Sequence, residues 1–362
     1  MVITKDSAVA KIFKELLKAP KTQKATTIST SVEFFKEKGI VVNLDGDIQF
    51  IFIKDKTVDK SCSIQGSFII SAICSPLSDT DVTITFTDGA ACVNGIEFPT
   101  SEISEDRLDS LNTSVAAPHI TFTNEQLSKI EKDFDITLGN YFISPTMVDV
   151  MSFAVNEGNL YRFNSSSACW KISNVEADVD KVQLEQDYGH TTKIWTMPHK
   201  IFDFMKIANT TKVYFTDYNS ILVDSNEFFL QFNCRNTKTT KFKSYLNYIN
   251  SVPEKTIKLA PLFKAKKFFD KIVENSYQLE EDINTVIKFT SGKGFDITID
   301  TGKISFDCSD ISITKEFELN TSVIKYLLDN LSEDTTVADR DNGEMELIDG
   351  NSHYFIVNFN QD

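Results

Sequence analysis

The stretch Pro198–Phe232, PHKIFDFMKIANTTKVYFTDYNSILVDSNEFFLQF, decides the fold. Up to Asn209 its apolar residues recur at helical spacing, which makes an amphipathic helix. KVYF, SILV and EFFLQF then read as three strands, broken by a turn near Asn219 and another at Asn226. The same unit occurs twice more. GSFIISAICSPLSD, from Gly66, leads into TDVTITF, the Asp88-Gly89 turn, ACV, Asn94-Gly95 and IEF. NTSVIKYLLDNLS, from Asn320, leads into TTVAD, Asn342-Gly343, EMELI, Asp349-Gly350 and HYFIVNF. The starts lie about 120 to 130 residues apart, the size of a small domain, so the chain reads as three similar domains.

Each unit is preceded by a second helix with strands of its own, beginning near Ser7, Thr123 and Pro261. A domain therefore holds two helices packed on antiparallel sheets. The expected class is α+β, with domains at residues 1–118, 119–253 and 254–362. In the first of these helices Val9, Ile12, Phe13, Leu16 and Leu17 form an apolar stripe, with Lys11, Lys14 and Lys18 on the opposite face. In the third, Lys264, Lys267 and Lys271 fall at i, i+3 and i+7, against Phe268, Phe269 and Ile272. The middle helix opens with Thr123 and Gln126 in capping-box spacing and carries Lys129 and Lys132. Its sister, with Pro198 in the first turn, carries Lys200 and Lys206. One lysine-rich helix face is ordinarily a solvated surface. Recurrence in similar domains allows those faces to line one cationic surface, which would hold a polyanion without reading its sequence.

With 362 residues, 41% hydrophobic and 25% charged, the chain can build several cores. A net charge of -15 argues against a generally basic nucleic-acid binder, so the placement of lysines matters more than their number. No run approaches the roughly 18 to 20 apolar residues that span a bilayer, and MVITKDSAVAKIFKELL lacks the pattern of a secretory signal. The expectation is a soluble cytoplasmic protein without a membrane partner. Cys62, Cys74, Cys92, Cys169, Cys234 and Cys308 form no CxxC pair and sit mostly in apolar patterns, as reduced core residues do.

Catalytic signatures are missing from the sequence. His119, His190, His199 and His353 have no metal-ligand spacing, and there is no GxxxxGK[ST] or GxGxxG loop. Ser165-Ser166-Ser167 lacks the glycines of a nucleophile elbow. Asp339, Asp341 and Glu344 surround an Asn-Gly turn, the composition of an acidic hairpin tip. The reading is a non-enzyme without metal or cofactor.

Three stretches carry a resemblance to a known family: IWTMPHKIFDFMKIANTTKVYFTDYNSILVDSNEFFLQFNCR, the run from Phe242 through Pro253 into TIKLAPLFKAKKFFDKIVENS, and the ending HYFIVNF. In order and spacing they resemble the bacterial beta sliding clamps (the DNA polymerase III beta subunit family), including bacteriophage members. That resemblance implies a head-to-tail homodimer forming a ring of six domains around duplex DNA. Such a ring is opened by a clamp loader and tethers the replicative DNA polymerase. By the same resemblance the lysines above face DNA. Ser165, Ser167, Trp170, Tyr245, Tyr248, Phe355, Val357 and Phe359 would line a partner-peptide pocket, while Ile96, Phe98, Ile272 and Val273 would form the ring contact. The chain departs from the family in Ser165–Trp170, where many members have Thr-Asp-Gly-His-Arg-Leu, and in Lys243, where a proline is common. The rival reading is a phage structural or adaptor protein of repeated helix-on-sheet domains with no DNA inside it.

Overall fold

The computed structural model describes residues 1–18, 28–46, 48–66, 68–111, 119–135, 150–156, 158–165, 169–179, 192–215, 220–233, 240–253, 255–279, 284–299, 302–340 and 343–356. Its element order states the repeat directly. The first pass comprises β1 (Val2–Ile3), α1 (Ala8–Leu17), β2 (Ile28–Phe35), β3 (Gly39–Asp45), β4 (Ile48–Lys54), β5 (Cys62–Gln65), α2 (Phe68–Cys74), β6 (Val82–Thr87), β7 (Ala90–Val93) and β8 (Ile96–Pro99). After α3 (Asp106–Leu111) the order recurs as β9 (His119–Thr123), α4 (Asn124–Asp135), β10 (Val150–Asn156), β11 (Asn159–Ser165), β12 (Cys169–Val175), β13 (Asp178–Val179), β14 (Thr192–Pro198), α5 (His199–Met205), β15 (Thr210–Phe215), β16 (Ser220–Asp224) and β17 (Phe228–Asn233). After α6 (Thr240–Ile249) it returns as β18 (Thr256–Lys258), α7 (Ala260–Phe263), α8 (Lys266–Leu279), β19 (Asn284–Thr290), β20 (Gly294–Ile299), β21 (Gly302–Asp307), β22 (Lys315–Asn320), α9 (Thr321–Asn330), β23 (Thr336–Asp339), β24 (Met345–Asp349) and β25 (Ser352–Ile356). The fold is α+β with antiparallel sheets, as the sequence pattern implies.

Local chemistry sets the boundaries. Ser7 caps α1 by accepting from the backbone N–H of Ala10 at 3.1 Å. At α4 the capping box closes in both directions: the Gln126 N–H donates to Thr123 Oγ1 at 3.2 Å, and the Thr123 N–H donates to Gln126 Oε1 at 2.8 Å. Asn320 caps α9 with its side-chain oxygen. Pro198 closes a strand, so the helix begins one residue later than the sequence suggests. Asn94 and Gly95 both take positive φ (46° and 87°), the geometry of a tight hairpin between β7 and β8.

The chain divides into two compact units, Met1–Glu131 with Asp149–Leu160 and Glu176–Thr237, and Lys132–Val148 with Tyr161–Val175 and Lys238–Asp362. In the first, nine strands run in the order β13-β9-β15-β16-β17-β4-β3-β2-β5, and a four-stranded sheet runs β1-β6-β7-β8. Strand β17 pairs with β4, matching Phe228 to Ile53 and Leu230 to Ile51. One sheet thus crosses the boundary expected at residue 118. Pairing the edges of two small sheets removes rows of unsatisfied N–H and C=O groups, and a periodicity argument has no view of that contact. Helices α1 and α2 pack together over Ile12, Phe13, Ile69 and Ile73, with α5 against α1.

The second unit carries the run β11-β12-β25-β24-β23-β18 and the sheet β21-β20-β19-β22. Helices α8 and α9 pack on one another, and their core includes Phe269, Ile287, Phe289, Phe295, Phe317, Val323 and Leu327. Lys266 bonds to Asp329 at 2.8 Å, and Lys325 reaches Asp270 at 3.1 Å and Asp329 at 2.6 Å, tying the two helices together along their polar side.

A shared device marks the first and third repeats. Gly39 opens β3 and Gly294 opens β20, at φ of 152° and 145°. A Cβ would lie 2.1 Å from the Ile53 carbonyl oxygen at the first and 2.0 Å from that of Phe306 at the second. Both clashes are with the backbone of the next strand, so no side-chain motion relieves them. Gly39→Ala and Gly294→Ala should each destabilise the fold by about 1–3 kcal/mol, read from urea denaturation midpoints. A midpoint equal to wild type in either variant would contradict the close approach.

Candidate functional site

The expected pocket residues converge within the second unit because β12 pairs with β25. The register sets Trp170 opposite Phe355 and Cys169 opposite Ile356. Helix α6 lays its tyrosines on that pair. The Tyr245 ring stacks on Phe355 with centroids 4.3 Å apart and planes 18° apart, and lies 5.3 Å from Trp170. Phe163 stacks on Trp170 at 6.0 Å, and Tyr248 approaches Phe355 at 6.4 Å. The cluster is closed: Phe355 is 0% exposed, Tyr245 2% and Trp170 9%. Tyr248 is half-buried and presents the accessible part of the group. Ser167, Val357 and Phe359 lie outside the described residues, as does the Ser165 side chain. Buried Cys169 has its thiol pushed far up by desolvation, and the five cysteines described, Cys62, Cys74, Cys92, Cys169 and Cys308, are free.

Polar groups gird this cluster. The Tyr245 hydroxyl donates to Glu344 Oε1 at 2.9 Å, and burial together with that carboxylate raises its pKa. Glu346 is fully buried. It accepts from Arg340 Nε through one oxygen and faces His353 Nδ1 at 2.7 Å through the other. Burial works against its charge, but the hydrogen bonds from His353 and Arg340 prevail and hold the carboxyl below its ordinary range. An ionised carboxylate only accepts, so opposite a charged Glu346 the Nδ1 of His353 would be the donor. The His353 ring lies 6.5 Å from that of Phe355, nearly parallel to it. Sequence reasoning did not single out Arg340 and Glu346 or give His353 this role. Their sequence signal is charge in or beside strands that otherwise read as buried: Glu346 and His353 lie inside β24 and β25, and Arg340 directly follows β23.

The candidate DNA-facing lysines do not share one fate. Lys11, Lys264, Lys267 and Lys271 are exposed and make no ion pair among the described residues. Lys18 pairs with Glu15, Lys129 with Glu125 at 3.3 Å and Lys206 with Asp203 at 3.2 Å. Lys14 donates to the Lys5 carbonyl at 3.1 Å, and half-buried Lys200 donates to that of Leu16 at 3.4 Å, with burial lowering its pKa. The Lys132 side chain is outside the described set. At the expected ring contact, Ile96 is exposed on edge strand β8 while Phe98 is largely buried. Phe68, which the sequence reading passed over, is 63% exposed with its ring 6.0 Å from that of Phe98. Ile272 and Val273 are buried within the second unit, and Ile272 belongs to its core. They face inward because their helix turns its apolar side onto the sheet beneath it.

Truncating Glu346 would leave Arg340 buried without its anion. Glu346→Ala should therefore destabilise the second unit by about 3–5 kcal/mol in denaturant titrations. Because the folded-state pKa of Glu346 is depressed, its contribution is complete above the ordinary glutamate range and is lost as pH falls through the folded value. Glu346→Gln should flatten the stability difference between pH 6 and pH 3; an unchanged pH slope would remove Glu346 from the acid response.

No family model and no curated protein matches the chain by sequence. Solved structures do match it end to end. The DNA polymerase sliding clamp of Bacillus subtilis superposes with a TM-score of 0.61 at 11% identity, covering 100% of this chain and 99% of that one. The Helicobacter pylori beta clamp bound to a DNA ligase peptide gives 0.59 at 10% identity, with 99% of each chain covered. The Pseudomonas aeruginosa DNA polymerase III subunit beta bound to griselimycin gives 0.60 at 11% identity over 100% and 99%. Over its full length, the chain has the fold of the bacterial DNA polymerase III beta sliding clamps.

Proposed function

We propose that this chain is a DNA sliding clamp, a non-enzymatic subunit that encircles duplex DNA and tethers a replicative polymerase. The whole-chain match to sliding clamps carries the reading, since it spans all three repeats rather than one helix-on-sheet module. The reading assigns three domains per chain, at residues 1–118, 119–253 and 254–362, and the recurring element order supports it. Two chains meet head to tail, a contact in which each copy offers a different surface and which closes only if the curvature is right. Strand β8, with exposed Ile96 and Phe68 beside it, and strand β21 are both sheet edges, and they support such a contact. Exposed Lys264, Lys267 and Lys271 are the strongest candidates for touching phosphate, since neighbouring acids take up several of the other lysines. A clamp loader places the ring on DNA, and partners enter by a short peptide at the aromatic cluster around Tyr248. Aromatic anchors of this kind dominate small interfaces.

Light scattering should give a mass near twice 40.9 kDa. Once loaded, the protein should stay on circular DNA and slide off linearised DNA. A monomer at every concentration, indifferent to DNA ends, would transfer the reading to a structural or adaptor protein. Lys264→Glu combined with Lys267→Glu should lower retention on circles at low salt while leaving the thermal melt in place; unchanged retention would sink that assignment. Griselimycin, bound by the Pseudomonas aeruginosa clamp, serves as a pocket probe. Calorimetry should show it binding here, with Tyr248→Ala weakening it roughly tenfold. No binding, or no effect of the substitution, would count against the pocket.

A further inference from the structure

We propose that Arg340 is the positioning residue of the aromatic pocket, fixing the C-terminal end of α6 so that Tyr245 and Tyr248 sit over Trp170 and Phe355. The inference rests on the pocket assignment above and concerns what holds that pocket in shape.

A helix leaves its last carbonyls without intrahelical partners, and a cation at that end both satisfies them and complements the helix dipole. At the end of α6 the Tyr248 carbonyl already accepts from the Ser251 N–H at 3.1 Å and from Ser251 Oγ at 3.0 Å, and Arg340 grips that turn from outside. Its Nη2 donates to the Tyr248 carbonyl at 2.8 Å and to the Ser251 carbonyl at 3.3 Å, while Nη1 donates to Ser251 Oγ at 3.0 Å. The guanidinium plane also lies 5.4 Å from the centre of the Tyr248 ring. Only Nε is given to Glu346. An arginine serving Glu346 alone would turn its two-nitrogen fork onto the carboxylate; here the fork is turned onto the helix. Glu346 holds the guanidinium in that attitude from behind, and is itself held by His353. Directly beyond the grip the chain runs along the surface, with Val252 93% exposed. The end of α6 is therefore held by the side chain of a residue about 90 positions downstream, and Tyr248 at the grip itself and Tyr245 about one turn back inherit that position.

Lysine cannot replace this fork, because it offers one nitrogen where three are used. The test needs no partner. With Trp195→Phe as background, Trp170 is the remaining tryptophan of the two in the chain. Acrylamide quenching of its emission then reports how closely α6 covers it. Arg340→Lys should raise the quenching constant at least twofold at temperatures where the protein is still folded, and Arg340→Gln should raise it further. If Arg340→Gln fails to fold, Arg340→Lys decides. Quenching equal to the background protein in folded Arg340→Lys would overturn the proposal, because a residue needed only as a counter-ion for Glu346 is rescued by lysine. A lowered melting temperature with unchanged quenching would overturn it equally, as the mark of a merely stabilising role. Failure of the clamp reading would show instead in the mass and circle-retention measurements, which quenching does not touch.

Discussion

A small antiparallel sheet has two edges, and each is a row of backbone donors and acceptors that must find partners or water. That constraint organises this molecule. In the first unit β17 meets β4, and in the second β12 meets β25, so strands from different repeats complete one another. Each junction is overlaid by a short helix that follows a repeat in the chain. Leu108 of α3 packs with Phe35, Val41 and Phe50 at the first, and Tyr245 of α6 packs on Phe355 and Trp170 at the second. The aromatic cluster is thus a by-product of edge pairing. Two strands bring rings into register, and a helix closes over them.

The contrast between the two junctions is electrostatic. At the first, the buried Glu33 carboxylate has Arg107 at 3.1 Å, on a half-exposed helix, and a hydrogen bond with Asn43, yet desolvation outweighs both and raises its pKa. At the second, Glu346 has two nitrogen partners and its pKa is lowered. A carboxylate in so dry a place stays ionised only when its lone pairs are met, and Arg340, just past the end of β23, and His353 on β25 meet them from either side.

Much of this was legible in the sequence, for a physical reason. Helix caps, hairpin turns and amphipathic stripes are decided by residues within a few positions of one another. Thr123 with Gln126, Asn94 with Gly95 and the stripe through Ile12 and Phe13 therefore reported themselves. The clustering of Trp170, Tyr245, Tyr248 and Phe355 came from family resemblance rather than pattern, and their degree of burial came from neither. The lysine faces also hold acids in reach: Glu15, Glu125 and Asp203 stand three or four residues from Lys18, Lys129 and Lys206, a spacing that already allows pairing. Arg340 was invisible, because its partners at Tyr248 and Ser251 belong to another element and its carboxylate to the next strand. The merging of sheets across residue 118 was hidden for the same reason, since edge pairing leaves no periodic trace.

The pairing of β12 with β25 has a consequence in time. Trp170 is synthesised about 180 residues before Phe355, and domains form in the order in which the ribosome delivers them. Throughout that interval β12 has one edge without its neighbour, and Tyr245 has no ring beneath it on which to stack. The aromatic cluster is therefore absent from every nascent chain that has not yet delivered Phe355. It comes into being only when β25 emerges, so a chain cut short before that strand lacks it whatever else it has folded.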